Sequence, residues 1–178
     1  MTRYAVLLAT ALTLPGLAFA AGSTPSKPAK TETTATCPEG YIYNAEDHTC
    51  IAAEQGSLEL DRDTRILTAR ELAHFGRPAD ALTLLSGLEA DAEVLTLKGF
   101  ATRLTGDWDE GLRLYQAALA LDPAHWQAMS YMGQGFVEQG MKAEAREQLD
   151  LIRVSGGRGT WAEESLAKSL ETGTGYTW

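Results

Sequence analysis

Residues 95–118 read LTLKGFATRLTGDWDEGLRLYQAA, and residues 129–152 read MSYMGQGFVEQGMKAEAREQLDLI. The two segments begin 34 residues apart, and their glycines keep that interval, with Gly99 matching Gly133 and Gly106 matching Gly140. Self-similarity at a fixed period of about 20 to 50 residues indicates a repeat protein, in which each unit packs against its neighbours along the chain. The period therefore predicts an array of similar structural units.

Each unit is predicted to hold two short amphipathic helices. In the second segment, apolar residues at positions i, i+3 and i+7 share one helical face, namely Met129, Met132 and Phe136. Gly106 and Gly140 permit the positive φ that ends a first helix. Asp107, with Glu110 three residues later, is typical of a capping box at the start of a second helix. We therefore expect an all-α fold of helix pairs.

This pattern resembles the tetratricopeptide repeat (TPR), whose order is large-x-x-Leu-Gly-x-x-Tyr, then Ala-x-x-x-Phe, then Ala, then Pro. In one unit the matching places hold Leu95, Lys98, Gly99, Thr102, Gly111, Tyr115, Ala118 and Pro123. In the next unit they hold Met129, Met132, Gly133, Phe136, Ala145, Leu149 and Ile152, with Gly157 in place of the proline. A degenerate earlier unit matches at Arg65, Thr68, Ala69, Leu72, Gly76, Ala81, Leu85 and Leu88.

The resemblance implies a right-handed superhelical array of about three helix pairs. The units span residues 61–91 (degenerate), 92–125 and 126–157. Residues 158–172 contain an amphipathic segment with no partner helix, so we expect a C-terminal capping helix there.

The resemblance also implies a concave groove lined by the first helix of each pair. The binding candidates in that groove are Arg70, Phe100, Arg103, Gln127, Ser130 and Gln134. We expect Phe100 to be an exposed aromatic anchor beside hydrogen-bond donors, a mixture that is typical of interface centres. The alternative is that Phe100 fills the narrow concavity of a short array.

The N-terminal segment reads as an export signal followed by a tether. Residues 1–20 combine Arg3, an apolar run and an Ala18-Phe19-Ala20 site, which predicts cleavage after Ala20. An uncleaved anchor is the alternative, but the apolar run is shorter than a bilayer span. Residues 21–36 contain no large apolar side chain, so we expect a disordered linker.

Residues 37–56 are expected to form a short hairpin closed by a disulfide between Cys37 and Cys50. Export places the two thiols in an oxidising compartment, and the β-prone run Tyr41–Tyr43 precedes a polar reversal. A redox site is disfavoured because the spacing is not C-x-x-C. A metal site at His48 lacks a fourth ligand.

Composition excludes several functional classes. The 178 residues include 24 acidic and 15 basic side chains, a net charge of −9, which disfavours nucleic-acid binding and attraction to anionic membranes. No H-E-x-x-H, G-x-S-x-G or P-loop motif is present, and residues 155–160 lack the Gly-Lys-Ser/Thr ending of a P-loop. We therefore expect no enzymatic activity, no cofactor and no metal.

These observations favour a non-catalytic, monomeric adaptor, exported to the periplasm or secreted, whose groove binds a peptide or protein partner. An alternative is an accessory or regulatory subunit of an envelope enzyme or assembly complex, which would make contact through the N-terminal loop or the convex face. A third hypothesis is a binder of small ligands. The fold alone does not choose among these functions.

Overall fold

The computed structural model of the protein describes residues 26–175, so the predicted signal segment lies outside the described residues. Within that range the fold is mostly helical, with nine helices and one two-stranded sheet. The elements in chain order are α1 (Glu32–Thr36), β1 (Tyr41–Asn44), β2 (Thr49–Ala52), α2 (Ala53–Glu59), α3 (Arg62–His74), α4 (Pro78–Leu85), α5 (Ala92–Leu104), α6 (Trp108–Leu121), α7 (Trp126–Glu138), α8 (Lys142–Val154) and α9 (Trp161–Thr172).

Three tight turns join consecutive helices into pairs: α3 with α4, α5 with α6, and α7 with α8. Each turn contains a glycine at positive φ, namely Gly76 (83°), Gly106 (101°) and Gly140 (77°). The next residue donates its N–H back to a helical carbonyl, from Arg77 to Leu72 (2.8 Å), Asp107 to Thr102 (3.3 Å) and Met141 to Phe136 (2.8 Å). This hydrogen bond belongs to the Schellman ending of a helix. The predicted roles of Gly106 and Gly140 are confirmed.

Polar side chains begin several of these helices. Asp107 accepts a hydrogen bond from the Glu110 N–H at 3.0 Å, which confirms the predicted cap of α6. Asp61 and Asp91 cap α3 and α5 in the same way, and Pro78 occupies the first turn of α4. Replacing such a cap by alanine costs about 1 kcal/mol. These residues therefore set where each helix starts.

Glycines bring the backbones of α5 and α6 close together. A Cβ atom on Gly99 would lie 2.9 Å from the Tyr115 ring and 3.1 Å from the Gly111 carbonyl oxygen. A Cβ atom on Gly111 would lie 3.0 Å from the Gly99 carbonyl oxygen. The pair can approach this closely only because neither position carries a side chain.

The apolar core is continuous from the hairpin through α7, and a smaller cluster joins α7, α8 and α9. The smaller cluster consists of Met129, Leu149, Ile152 and Leu166. Trp126 packs against it, and the indole N–H of Trp126 donates to Ser155 Oγ at 3.0 Å. The predicted C-terminal helix is present as α9, which packs on α7 and α8.

The predicted hairpin and its disulfide are confirmed. β1 and β2 pair antiparallel, and Cys37 is bonded to Cys50. Ile42 of β1 is fully buried, and a Cβ atom on Gly56 of α2 would meet the side chains of Ile42 and Leu84. The hairpin and α2 therefore cover the apolar end of the first helix pair. The sequence did not predict α2.

The expectation of a disordered linker is wrong for its last residues. Residues 32–36 form α1, with Thr31 as the N-cap. The buried Glu71 carboxylate of α3 accepts hydrogen bonds from the backbone N–H groups of Thr31 (2.7 Å) and Thr34 (3.3 Å) and from both hydroxyl groups. Composition does not reveal this ordering because the carboxylate lies 40 residues further along the chain.

Candidate functional site

The structure buries the side chains that were predicted to line an open groove. The exposed fractions are 11% for the Arg70 side chain, 1% for Phe100, 6% for Arg103, 4% for Gln127, 0% for Ser130 and 1% for Gln134. The expectation that Phe100 is an exposed anchor is therefore wrong. The alternative, in which Phe100 fills the narrow concavity of a short array, agrees with its burial.

Six side chains of α3, α5 and α7 form what we call the central cluster: Arg70, His74, Phe100, Arg103, Tyr131 and Glu138. Phe100 and Tyr131 stack with their ring centroids 4.2 Å apart and their planes at 13°. The His74 ring centroid lies 4.6 Å from that of Phe100, and His74 Nε2 lies 2.8 Å from the Tyr131 hydroxyl. These contacts connect the first helices of all three pairs.

Arg103 connects the central cluster to α6 and to the end of α7. Its Nη1 forms an ion pair with the Glu138 carboxylate, and its Nε donates to the Tyr115 hydroxyl at 3.4 Å. The guanidinium carbon lies 5.4 Å from the centroid of the Phe100 ring, a cation–π geometry. Burial lowers the pKa of Arg103, but Tyr115 and Glu138 together raise it above its ordinary value. Arg103 therefore remains charged.

His74 is a neutral side chain in the central cluster. Burial, followed by the positive charges of Arg70 and Arg103, lowers the pKa of His74 to about 3. Burial also raises the pKa of Tyr131, so both partners of their hydrogen bond are uncharged near neutral pH. His74 Nδ1 is buried and has no hydrogen-bond partner.

Arg70 carries the second positive charge of the central cluster. Its Nη2 lies 3.4 Å from Glu93 Oε1, a carboxylate that Arg62 also contacts at 3.5 Å. Arg70 Nε is buried without an acceptor. The Arg70 guanidinium therefore keeps an unused hydrogen-bond donor beside His74.

A second polar group links α7 to α9. The Ser130 and Ser165 hydroxyl oxygens lie 3.0 Å apart, and Gln134 Nε2 donates to both at 3.2 and 3.3 Å. Gln127, one turn before Ser130, is 4% exposed, and neither its amide oxygen nor its amide nitrogen has a partner. Of the predicted residues, Ser130 and Gln134 thus belong to an internal contact between helices, whereas the Gln127 amide is unused.

The sequence interpretation did not identify His74, Tyr131 or Glu138 as members of this cluster. A histidine near the end of a helix, such as His74, more often caps the helix or packs in the core than it binds a ligand. The structure places His74 in the core. Glu138 lies 35 residues after Arg103, close to the 34-residue interval of the sequence pattern, and that spacing would have indicated a charge pair between consecutive helix pairs.

Several hydrogen bonds also connect the hairpin to the first helix pair. The Arg77 guanidinium donates to the carbonyl oxygens of Thr33 (3.2 Å), Cys37 (3.1 Å) and Tyr41 (2.5 Å). Its Nε donates to Asp80 at 2.8 Å, and Asp80 accepts from the Gly40 N–H at 2.9 Å. Residues 26–59, which we call the N-terminal module, are therefore an integral part of the fold.

The residues available offer recognition chemistry: a stacked aromatic pair, two guanidinium groups and unused amide and imidazole atoms. Within residues 26–175, no group of three or more His, Cys, Asp or Glu side chains is placed to hold a metal ion. His48 Nδ1 lies 3.0 Å from the Tyr43 hydroxyl, a contact within the hairpin.

No protein-family model matches the chain, and comparisons with curated proteins and with solved structures give no match. Among the helices in the described part of the chain, none is both long and apolar enough to span a membrane. The candidate function therefore rests on the geometry of the cluster and of the exposed surfaces.

Proposed function

We propose that the protein is a non-catalytic adaptor of the cell envelope, built from TPR-like helix pairs, that binds a peptide or protein segment. The binding face is the one formed by α3, α5 and α7. Three successive helix–glycine–helix turns and the 34-residue period support the relationship to TPR proteins. The signal-like residues 1–20 and the disulfide between Cys37 and Cys50 support an exported location, with the periplasm as the proposed compartment.

One observation carries the binding proposal: four buried polar atoms without a hydrogen-bond partner lie on the first helices of the outer pairs. They are Arg70 Nε and His74 Nδ1 on α3 and both amide atoms of Gln127 on α7, while Gln148 Oε1 on the second helix α8 also lacks a partner. A buried polar group without a partner costs about 1 to 3 kcal/mol, so each such group in a native fold calls for an explanation. The backbone of a bound segment supplies both N–H and carbonyl groups, and these can pair with the buried atoms once binding moves apart the side chains that cover them.

The test replaces Gln127 by leucine, which keeps the size of the side chain but removes its hydrogen-bonding atoms. We expect Gln127→Leu to fold normally and to bind the partner more weakly than wild type. The partner is first identified by affinity capture from an envelope extract and then titrated as a purified protein. Gln116→Leu, on the exposed surface of α6, is the matched control. If wild type and Gln127→Leu bind the partner with equal affinity, the assignment of partner binding to the face formed by α3, α5 and α7 is contradicted.

The second candidate function is an accessory subunit that makes contact through the N-terminal module. Two large apolar side chains are exposed there, Tyr41 (45%) on β1 and Leu58 (87%) on α2. The paired substitution Tyr41→Ser with Leu58→Ser tests this surface, with Leu121→Ser (60% exposed, on α6) as the control. Loss of partner binding only in the paired variant would favour the accessory subunit. A deletion of residues 21–56 would be less informative because it removes Ile42 from the core.

The exported location has its own test. Residues 1–20 are fused to a reporter enzyme that is active only outside the cytoplasm, and the mature protein is sequenced from its N-terminus. We expect reporter activity and a mature chain that starts at Ala21. Retention of residues 1–20 in the mature chain would contradict cleavage after Ala20.

A further inference from the structure

The chain turns back sharply after α9. Gly173 has a positive φ of 77°, and its N–H donates to the Ser169 carbonyl at 2.8 Å. The Ser169 hydroxyl donates to the Thr174 carbonyl at 2.5 Å, which fixes the direction of the chain beyond the turn. The segment that leaves α9 is therefore held against the helix array by a glycine turn and a buried serine.

Gly175 lies directly beside the ion pair between Arg103 and Glu138. A Cβ atom on Gly175 would overlap the Glu138 carboxylate and would lie 3.5 Å from Arg103 Nη1. A side chain at this position would require the Glu138 carboxylate to move. In three residues, the segment Gly173–Gly175 has thus crossed from α9 past the end of α7 to a side chain of α5.

This position borders the central cluster. The Arg103 guanidinium lies over the Phe100 ring, and Phe100 stacks on Tyr131. The Arg103 side chain is only 3% exposed, although it belongs to the helix face proposed to receive a partner. A segment of the chain therefore already contacts the charged edge of the proposed binding face.

We propose that the chain's own C-terminal segment, beginning at Gly173, is a resident ligand of the face formed by α3, α5 and α7. The segment competes with an external partner and keeps the protein in a self-blocked state. The competition between the segment and an external partner rests on the proposed function. The binding of the segment to this face is independent of it. An attached segment competes at an effective concentration of about 1 mM, so an internal contact with a dissociation constant of about 0.1 mM reduces partner affinity about tenfold.

The test uses a chain that ends at Gly173, which retains α9 and its glycine turn. A dye-labelled peptide with the sequence of residues 173–178, GTGYTW, is titrated into this truncated chain and into the full chain. We expect the peptide to bind the truncated chain and to bind the full chain about tenfold more weakly, because the attached segment occupies the face. A scrambled peptide of the same composition is the control.

A matched pair of substitutions tests the site within the full chain. Gly175→Val places a side chain against Glu138 and is expected to release the segment, so the labelled peptide gains access. Thr174→Val puts the same side chain at the preceding, exposed position and is expected to leave the full chain blocked. Circular dichroism confirms that both variants fold.

Two results would overturn the inference: no peptide binding to the folded truncated chain at about 1 mM, or equal binding of the scrambled peptide. The proposed function is tested separately, through capture of an external partner by the truncated chain. If the truncated chain captures a partner but does not bind the peptide, the proposal of a resident ligand is wrong and the adaptor function stands. If the peptide binds but no partner is captured by either chain, the resident ligand stands and the adaptor function fails.

Discussion

Phe100 of α5 and Tyr131 of α7 stack face to face, with their ring centroids 4.2 Å apart. The two residues belong to consecutive helix pairs, so this contact links one helix pair directly to the next. Both side chains are at most 1% exposed. The aromatic residue that the sequence pattern assigned to partner binding therefore contributes to the cohesion of the fold.

Truncation of Phe100 is expected to destabilise the protein. Phe100→Ala removes a fully buried ring from between His74 and Tyr131, and such a substitution costs about 3 to 5 kcal/mol. Urea denaturation followed by circular dichroism measures the free energy of unfolding. Leu121→Ala, at a position that is 60% exposed, is the control and should cost much less. A cost for Phe100→Ala as small as that of the control would contradict the stacked core.

Acid should weaken the fold through His74. The pKa of His74 is about 3 in the folded chain and about 6.5 in an unfolded one. Between these values the unfolded state binds more protons, so the free energy of unfolding falls as the pH is lowered, by up to about 1.4 kcal/mol per pH unit. The loss begins near pH 6.5 and ends near pH 3.

A comparison between wild type and His74→Gln isolates this contribution, because the other titrating groups are the same in both proteins. The free energy of unfolding is measured between pH 7 and pH 5. Wild type should lose stability more steeply than the variant over this range. Parallel curves would show that His74 takes up a proton in the folded chain.

The Arg77 side chain is expected to hold the N-terminal module in place. Arg77→Met removes the hydrogen bonds to three carbonyl groups and leaves Asp80, only 15% exposed, without its cation. Loss of one partner from a buried ion pair costs about 3 to 5 kcal/mol. Hydrogen exchange should show faster exchange in residues 31–59, with Arg113→Met as the exposed control. Unchanged exchange in that segment would mean that apolar contacts alone hold it.

Reduction of the disulfide should lower the stability of the same module. Cys37 and Cys50 are separated by 13 positions in the sequence, and closing a loop of this size contributes about 3 kcal/mol in the chain-entropy model. Thermal unfolding with and without a reductant measures the effect. The double variant Cys37→Ala with Cys50→Ala is the control and should not respond to the reductant. Equal unfolding temperatures for oxidised and reduced wild type would contradict the prediction.

The local features of the fold were predictable because their causes are local. The turn glycines Gly106 and Gly140 and the capping residue Asp107 act on backbone groups within a few residues. The pairing of Cys37 with Cys50 was predictable because the chain has two cysteines, which allow one intramolecular bond. In these elements, residues that are close in the sequence are also the ones that make contact in the structure.

The burial of the site was not predictable in the same way. Whether Phe100 faces solvent depends on how closely α3 and α7 approach α5, and the 34-residue period does not encode that distance. The ordering of Thr31 depends equally on Glu71, which belongs to a helix much later in the chain. Hydrophobic patterning identifies which residues can form a helix, but contacts between distant helices decide which of those residues remain accessible.

The N-terminal module also limits where a further helix pair could be added to the fold. Ile42 and Gly56 occupy the surface of the first helix pair on which a preceding pair would otherwise stack. A further helix pair inserted ahead of Asp61 would have to displace this cover, whereas one inserted between α4 and α5 would keep it. While the module is in place, two copies of the chain cannot join through this surface to form a filament.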